Sequence, residues 1–165
     1  MTVKKIIIAP NPILETPSEK VTVFDHKLTK LLDDLMDTMM ENDGAGIAAP
    51  QIGVNAQVCI VYPDDEIGIY ELINPEILET EGEESDIEGC LSFPGIYGYV
   101  SRPTRIKVRA QDRKGKKFTF EAEGFFARAC MHEIEHLSGD LFENKITIRV
   151  TEEELEAINE AAEAK

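Results

Sequence analysis

The run His132-Glu133-Ile134-Glu135-His136 is the part of this chain best equipped to do chemistry. Residues four apart share one face of a helix, so both imidazoles can meet a single metal ion. Glu133 follows the first histidine directly and can reach a water held at that ion as general base. A surface helix can carry two histidines without any such role. Here, however, the chain holds only three histidines, and two of them fall at this spacing.

A metal centre needs a third protein donor. A metzincin-type run continues as HExxHxxGxxH, but the last position is Phe142 here. Glu152, Glu153, Glu154 and Glu156 lie in an acidic tail that shows no other sign of a site. His26 reads as an exposed residue in the first turn of an earlier helix. Cysteine is the remaining donor type. Cys59 sits in the apolar run Val58-Cys59-Ile60-Val61-Tyr62, where cysteine behaves as a small hydrophobe. Cys130 is two residues before His132, about 200° around the helix, and should face away. Cys90 lies in Glu88-Gly89-Cys90-Leu91-Ser92-Phe93-Pro94-Gly95, beside glycine and a turn, and is the best third donor. The odd count of three cysteines argues against a disulfide framework.

A third element is Gly44-Ala45-Gly46-Ile47-Ala48-Ala49-Pro50-Gln51-Ile52-Gly53. Residues this small suit a backbone that a ligand approaches closely, and Gln51 adds an amide donor. The plainer reading is a tight turn between a helix and a strand. The absence of a lysine after the glycines, and of any Lys or Arg between residues 31 and 101, argues against a phosphate loop.

In this order and at these separations, GAGIAAPQIG, EGCLS and HEIEH resemble the three signature motifs of the peptide deformylase family. The likeness extends from about Pro10 to Asn144, most of the chain. It implies a metal held by Cys90, His132 and His136, with Glu133 as general acid and base. The Gln51 amide and the Leu91 N–H would polarise the formyl oxygen. It implies iron(II) as the metal, with zinc, nickel or cobalt as other occupants, and N-formylmethionyl nascent chains as substrate. Three positions depart from the family's habit: Met131 stands for glutamine, Glu135 for aspartate and Glu15 for arginine. None removes a ligand, base or oxyanion donor. Arg102 is expected to pair with Asp43 beside the glycine segment.

The chemistry is consistent with that resemblance. Hydrolysis of an unactivated amide needs a strong nucleophile, and a three-ligand metal with an open position generates one near neutral pH. Glu133 would take the proton from the water and pass it to the departing amine. Each oxyanion donor is typically worth ~3 kcal/mol. One thiolate with two imidazoles suits zinc or iron(II) by ligand softness. An extended peptide would add as a strand between Ala45, Gly46 and Ile47 on one side and Gly89 on the other. The methionine pocket is expected to be apolar and lined by Ile47, Phe125 and Ala129.

Length and composition bound these readings. A chain of 165 residues is most simply one catalytic domain, 1–165, with a usable core. The apolar run Ile6-Ile7-Ile8-Ala9 is broken by Pro10, too short for a signal segment, and no stretch approaches a membrane span. Unpaired cysteines point to a reducing cytoplasm. The net charge of −15 is uneven: residues 31–101 hold 16 acids and no Lys or Arg. That argues against specific nucleic-acid binding. Residues 102–117 hold eight bases and one acid, which fits a ribosome-facing patch or, more plainly, a solvated hairpin.

These residues must be positioned by a mixed α+β fold, with antiparallel sheets packed around a central HExxH helix and a C-terminal helix. Asp25 should cap a helix reaching Asn42, with Leu28, Leu31, Leu32, Leu35 and Met39 on its core face and Gly44 ending it. Strand-like runs fall at 56–62, 69–74, 77–81, 105–112 and 117–123, with a turn at Asp112-Arg113-Lys114-Gly115. The metal helix should span about 124–137 and stop at Gly139. A last helix spans about 151–162, its Thr151 and Glu154 forming a capping box and its Leu155 and Ile158 packing on the body. Its six glutamates do not suit docking on RNA. Two rival classes remain: another Cys/His/His amidase or peptidase, and a non-catalytic binder of formyl peptides.

Overall fold

Asn11 opens a single helical turn, α1 (Pro12–Glu15), by accepting the Ile13 N–H on its side chain. Asp25 does the same on a larger scale: its carboxylate accepts from Lys27 and Leu28 and starts α2 (His26–Glu41). Leu28, Leu32, Leu35 and Met39 form the buried stripe of α2, and Leu31 is half-buried at its margin. The helix ends at Asn42, and the left-handed residue of the cap is Asp43, with Gly44 N–H returning to the Met39 carbonyl. His26 is exposed.

The computed structural model, which describes residues 2–164, carries eight strands in two antiparallel sheets. In chain order they are β1 (Gly46–Ala48), β2 (Val58–Val61), β3 (Tyr70–Glu81), β4 (Glu84–Cys90), β5 (Phe93–Arg102), β6 (Arg105–Gln111), β7 (Lys117–Glu123) and β8 (Ile146–Val150). The larger sheet has the order β1-β2-β3-β6-β7, and the smaller β4-β5-β8. The runs read as separate strands at 69–74 and 77–81 are one strand. Asn74 takes φ 52° and the register slips between Ile73 and Glu76, so pairing with β6 survives Pro75 through a bulge. The whole smaller sheet and the short β1 are additions to what the apolar pattern suggested.

Alternation along β2 sets the layers. Val58 and Ile60 join the core under α2, while Cys59 and Val61 join the core under α3 (Gly124–Leu137). The larger sheet is therefore covered by a helix on each face. In β1 the same alternation puts Ile47 on the α2 side and Ala48 on the α3 side. A third cluster, Leu14, Phe93, Val100, Leu141 and Phe142, fastens the smaller sheet to the rest.

Strand pairing brings the uneven charges together. β3 carries acids and β6 carries bases, and the two strands are neighbours. Arg105 pairs with Glu81 and Glu121, Arg109 with Glu76, and Arg113 with Glu71 and Asp33. At the C-terminal end, Thr151 caps α4 (Glu152–Glu163) by accepting the Glu154 N–H. The expected packing of α4 is only partly present: Leu155 is half-buried but Ile158 is 41% exposed. Among the described residues no helix is long and apolar enough to cross a membrane.

Candidate metal centre

Glycine marks both ends of the helix that carries the two histidines. Gly124 takes φ 58° where β7 turns into α3, and Gly139 takes φ 75° just beyond its C-terminus. A Cβ on Gly139 would lie 2.6 Å from the Glu15 carbonyl oxygen, so no other residue fits that stop. One turn apart on α3, His132 and His136 face the end of β4. There the register slips between Gly89 and Cys90 and delivers the thiol. Cys90 Sγ is 3.2 Å from His136 Nε2, and donor atoms of Cys90, His132 and His136 all lie within 4.8 Å of one another. Ligands of a tetrahedral ion with metal–sulfur and metal–nitrogen bonds of ordinary length stand about 3.6 Å apart. The three donors fit a small divalent cation.

The surroundings favour such a cation. His132 Nδ1 is 3.0 Å from Glu88 Oε1, which commits that nitrogen to the carboxylate and leaves Nε2 for the centre. Burial works against a charged His132, yet Glu133, the Cys90 sulfur and Glu88 together hold it well above its ordinary value. The spot therefore attracts positive charge. Burial drives His136 down to about 3, so it stands as a neutral imidazole, the form that ligates. Its Nδ1 is buried without a hydrogen-bond partner. Burial also pushes the Glu133 carboxyl up to about 7, and its Oε1 is likewise unpartnered.

Glu88 is the hub of the buried charges. Arg102 grips it with two bonds, Nε to Oε2 at 2.8 Å and Nη2 to Oε1 at 3.0 Å, and Arg128 Nη1 donates to Oε2 at 2.7 Å. Burial alone would raise Glu88, but Arg102 and His132 outweigh it and hold the carboxyl at about 2. Arg102 also donates to Glu135. The expected Arg102–Asp43 pair is absent: Arg102 is 2% exposed and its guanidinium is spent on Glu88 and Glu135. Sequence reading assigns Glu88 and Arg128 no role in this network and points Arg102 to the wrong partner. Arg128 left a signal, since it stands four residues before His132 on the same helical face, amid buried apolar neighbours.

Beside the three donors lies a cavity of about 330 Å³. Ala45, Gly46, Gly89, Leu91, Phe125, Ala129, Gln51 and Glu133 all line it. Gln51 belongs to the turn Ala49–Ile52. Its Oε1 accepts the Ala48 N–H at 2.9 Å, so its NH₂ points to Ser92 Oγ at 3.1 Å and Cys90 Sγ at 3.5 Å. Ile47 is not in the wall. It is fully buried on the α2 side, because β1 alternation gives the cavity side to Gly46. Cys59 and Cys130 are buried in the core with thiols raised by burial, Cys130 to about 12.

A model of the family described as polypeptide deformylase matches residues 3–152. The chain belongs to the polypeptide deformylase family. Peptide deformylase 1 of Bacillus subtilis is 56% identical over 155 residues, covering 94% of this chain and 97% of the relative. Peptide deformylase 1 of Bacillus cereus is 58% identical over 156 residues, covering 94% of this chain and all of the relative. Among solved structures, peptide deformylase from Thermotoga maritima superposes with a TM-score of 0.86 at 37% identity, covering 89% of this chain and 99% of that one. The match spans nearly the whole length of these deformylases.

Proposed function

We propose how this centre carries out deformylation. As a member of the polypeptide deformylase family, the chain removes the N-formyl group from newly synthesised polypeptides. Residues 1–165 act as one catalytic domain, and Cys90, His132 and His136 hold a divalent ion. That ion, when bound, supplies Lewis acidity at an open coordination position. The donor set of one thiolate and two imidazoles supports iron(II), with zinc, nickel or cobalt as alternative occupants.

Glu133 takes a proton from the attacking water as its oxygen bonds to the formyl carbon. The C–N bond then breaks, Glu133 returns the proton to the departing amine, and formate leaves. Gln51 Nε2–H and the Leu91 N–H donate to the formyl oxygen as negative charge gathers there. The N-formylmethionyl chain lies between two open sheet edges, β1 and β4. Backbone of Ala45, Gly46 and Ile47 meets it on one side and Gly89 on the other. Phe125 and Ala129 receive the methionine side chain, and Ile47 contributes main chain only.

The observation that carries the reading is the convergence of Cys90, His132 and His136 beside a cavity lined by Cys90, His132, Glu133 and Gln51. Free thiols support a cytoplasmic setting. Any transient contact with the ribosome falls to the lysines of residues 102–117, since the arginines there are ion-paired. It would weaken steeply with salt. The deciding experiment is formate release from a formyl-methionyl tripeptide by the anaerobically prepared iron(II) protein, beside Glu133→Ala. Fast release lost on substitution, with metal retained, supports the assignment. Metal-loaded, folded protein that releases no formate overturns it.

A further inference from the structure

We propose that Lys145 is a positioning residue for the metal centre, acting through Glu135, Arg102 and Glu88 on His132. The proposal rests on the reading of Cys90, His132 and His136 as ligands.

Lys145 closes the 3-10 turn Phe142–Lys145, and this turn packs on the ligand helix, the Phe142 and His132 ring centroids being 5.3 Å apart. The Lys145 ammonium lies 3.5 Å from Glu135 Oε1 and 3.1 Å from Asp140 Oδ2. Glu135 gives its other oxygen, Oε2, to Arg102 Nη1. Arg102 holds both oxygens of Glu88, and Glu88 Oε1 meets His132 Nδ1. From Lys145 to Glu135 to Arg102, side-chain exposure falls from 34% to 17% to 2%. The path leads from solvent to the ligand without a gap.

Glu135 holds two partners, Arg102 and Lys145, and Glu88 holds three, Arg102, Arg128 and His132, so the outer end of the path matters. With Lys145 in place, both Glu135 oxygens are occupied and its rotamer is fixed. Without it, Oε1 faces solvent and the carboxylate is free to turn away from Arg102. A buried guanidinium short of a partner leans harder on the carboxylate that remains. That carboxylate is Glu88, and Arg102 Nη2 and His132 Nδ1 share its Oε1 at 3.0 Å each. A shift of Glu88 toward Arg102 loosens the hold on the His132 ring. An exposed lysine–carboxylate pair with no such connection would contribute almost nothing.

Loss of a direct outer-shell partner typically costs 10- to 100-fold in metal affinity; Lys145 stands farther out, so about a threefold to tenfold faster metal loss is expected. The test loads the full chain with cobalt(II) and follows its d–d and thiolate-to-cobalt bands while a chelator removes it. Lys145→Met should lose cobalt about three to ten times faster with an altered d–d band, and Lys145→Arg should restore the wild-type rate. Added to Glu135→Gln, Lys145→Met should change the rate no further, because its effect passes through Glu135. A wild-type rate for Lys145→Met, or the same added factor in both backgrounds, overturns the proposal. So does a metal-free melting temperature that falls enough to explain the faster loss. Absence of the thiolate-to-cobalt band in the wild-type chain overturns the ligand reading itself.

Discussion

Gly46 and Glu133 are packed so closely that a Cβ on Gly46 would lie 2.6 Å from Glu133 Oε2 and 2.8 Å from its Cγ. The glycine is therefore a floor for the Glu133 carboxylate, the proposed general base. Gly46→Ala should displace the carboxylate while leaving the three metal donors alone. Displacement of a reacting group by about 1 Å can cost about 100-fold. We expect kcat to fall by at least about tenfold with cobalt(II) uptake unchanged. Wild-type kcat would show that Glu133 does not need this position.

Gln51 is held by the Ala48 N–H in the orientation that turns its NH₂ toward the centre. Gln51→Ala removes that donor and should lower kcat by about 100-fold, the loss typical of one oxyanion-hole group. Steady-state kinetics on a formyl-methionyl peptide would read it. A change confined to KM would assign Gln51 to substrate binding only.

Glu88 answers two buried arginines and one histidine. Glu88→Ala strands those cations, and breaking a buried pair in this way costs about 3–5 kcal/mol. Urea unfolding should show a loss of that order, and metal affinity should fall by about 10- to 100-fold. A variant as stable as the wild type would mean that water replaces the carboxylate without penalty.

Cys59 and Cys130 are fully buried, while Cys90 is half-buried beside the cavity. Native, metal-stripped protein treated with iodoacetamide should gain one adduct, at Cys90, by peptide mass mapping. Metal loading should protect it, and urea should open all three thiols. Labelling of Cys130 in the folded chain would contradict the packing of α3.

These features are unequally visible in the amino-acid sequence. The ligand helix was expected at 124–137 and runs Gly124–Leu137, because glycine stands at both ends and the apolar period is unbroken. The cluster of Cys90, His132 and His136, with Glu133 beside it, was legible because each residue lies in a short run of distinctive residues. β4 was not legible. Its residues Glu84-Ser85-Asp86-Ile87-Glu88-Gly89-Cys90 show no apolar alternation, and the side chain it buries is a glutamate. The partners of that glutamate stand 14, 40 and 44 residues away in the chain, beyond the reach of any local pattern. The assignment of Arg102 to Asp43 failed for the same reason. Ile47 was misplaced because a three-residue strand is too short to announce which face is which.

The two histidines come from the helix on the larger sheet, and Cys90 comes from the smaller sheet. Secondary structure alone cannot assemble such a centre. The donors meet only when the two halves of the molecule are docked, so the centre works as a gauge of that docking. A chain that keeps every helix and strand but loosens the seam loses its grip on the ion first. Spectra of the bound metal would then reveal the defect while circular dichroism still looked native.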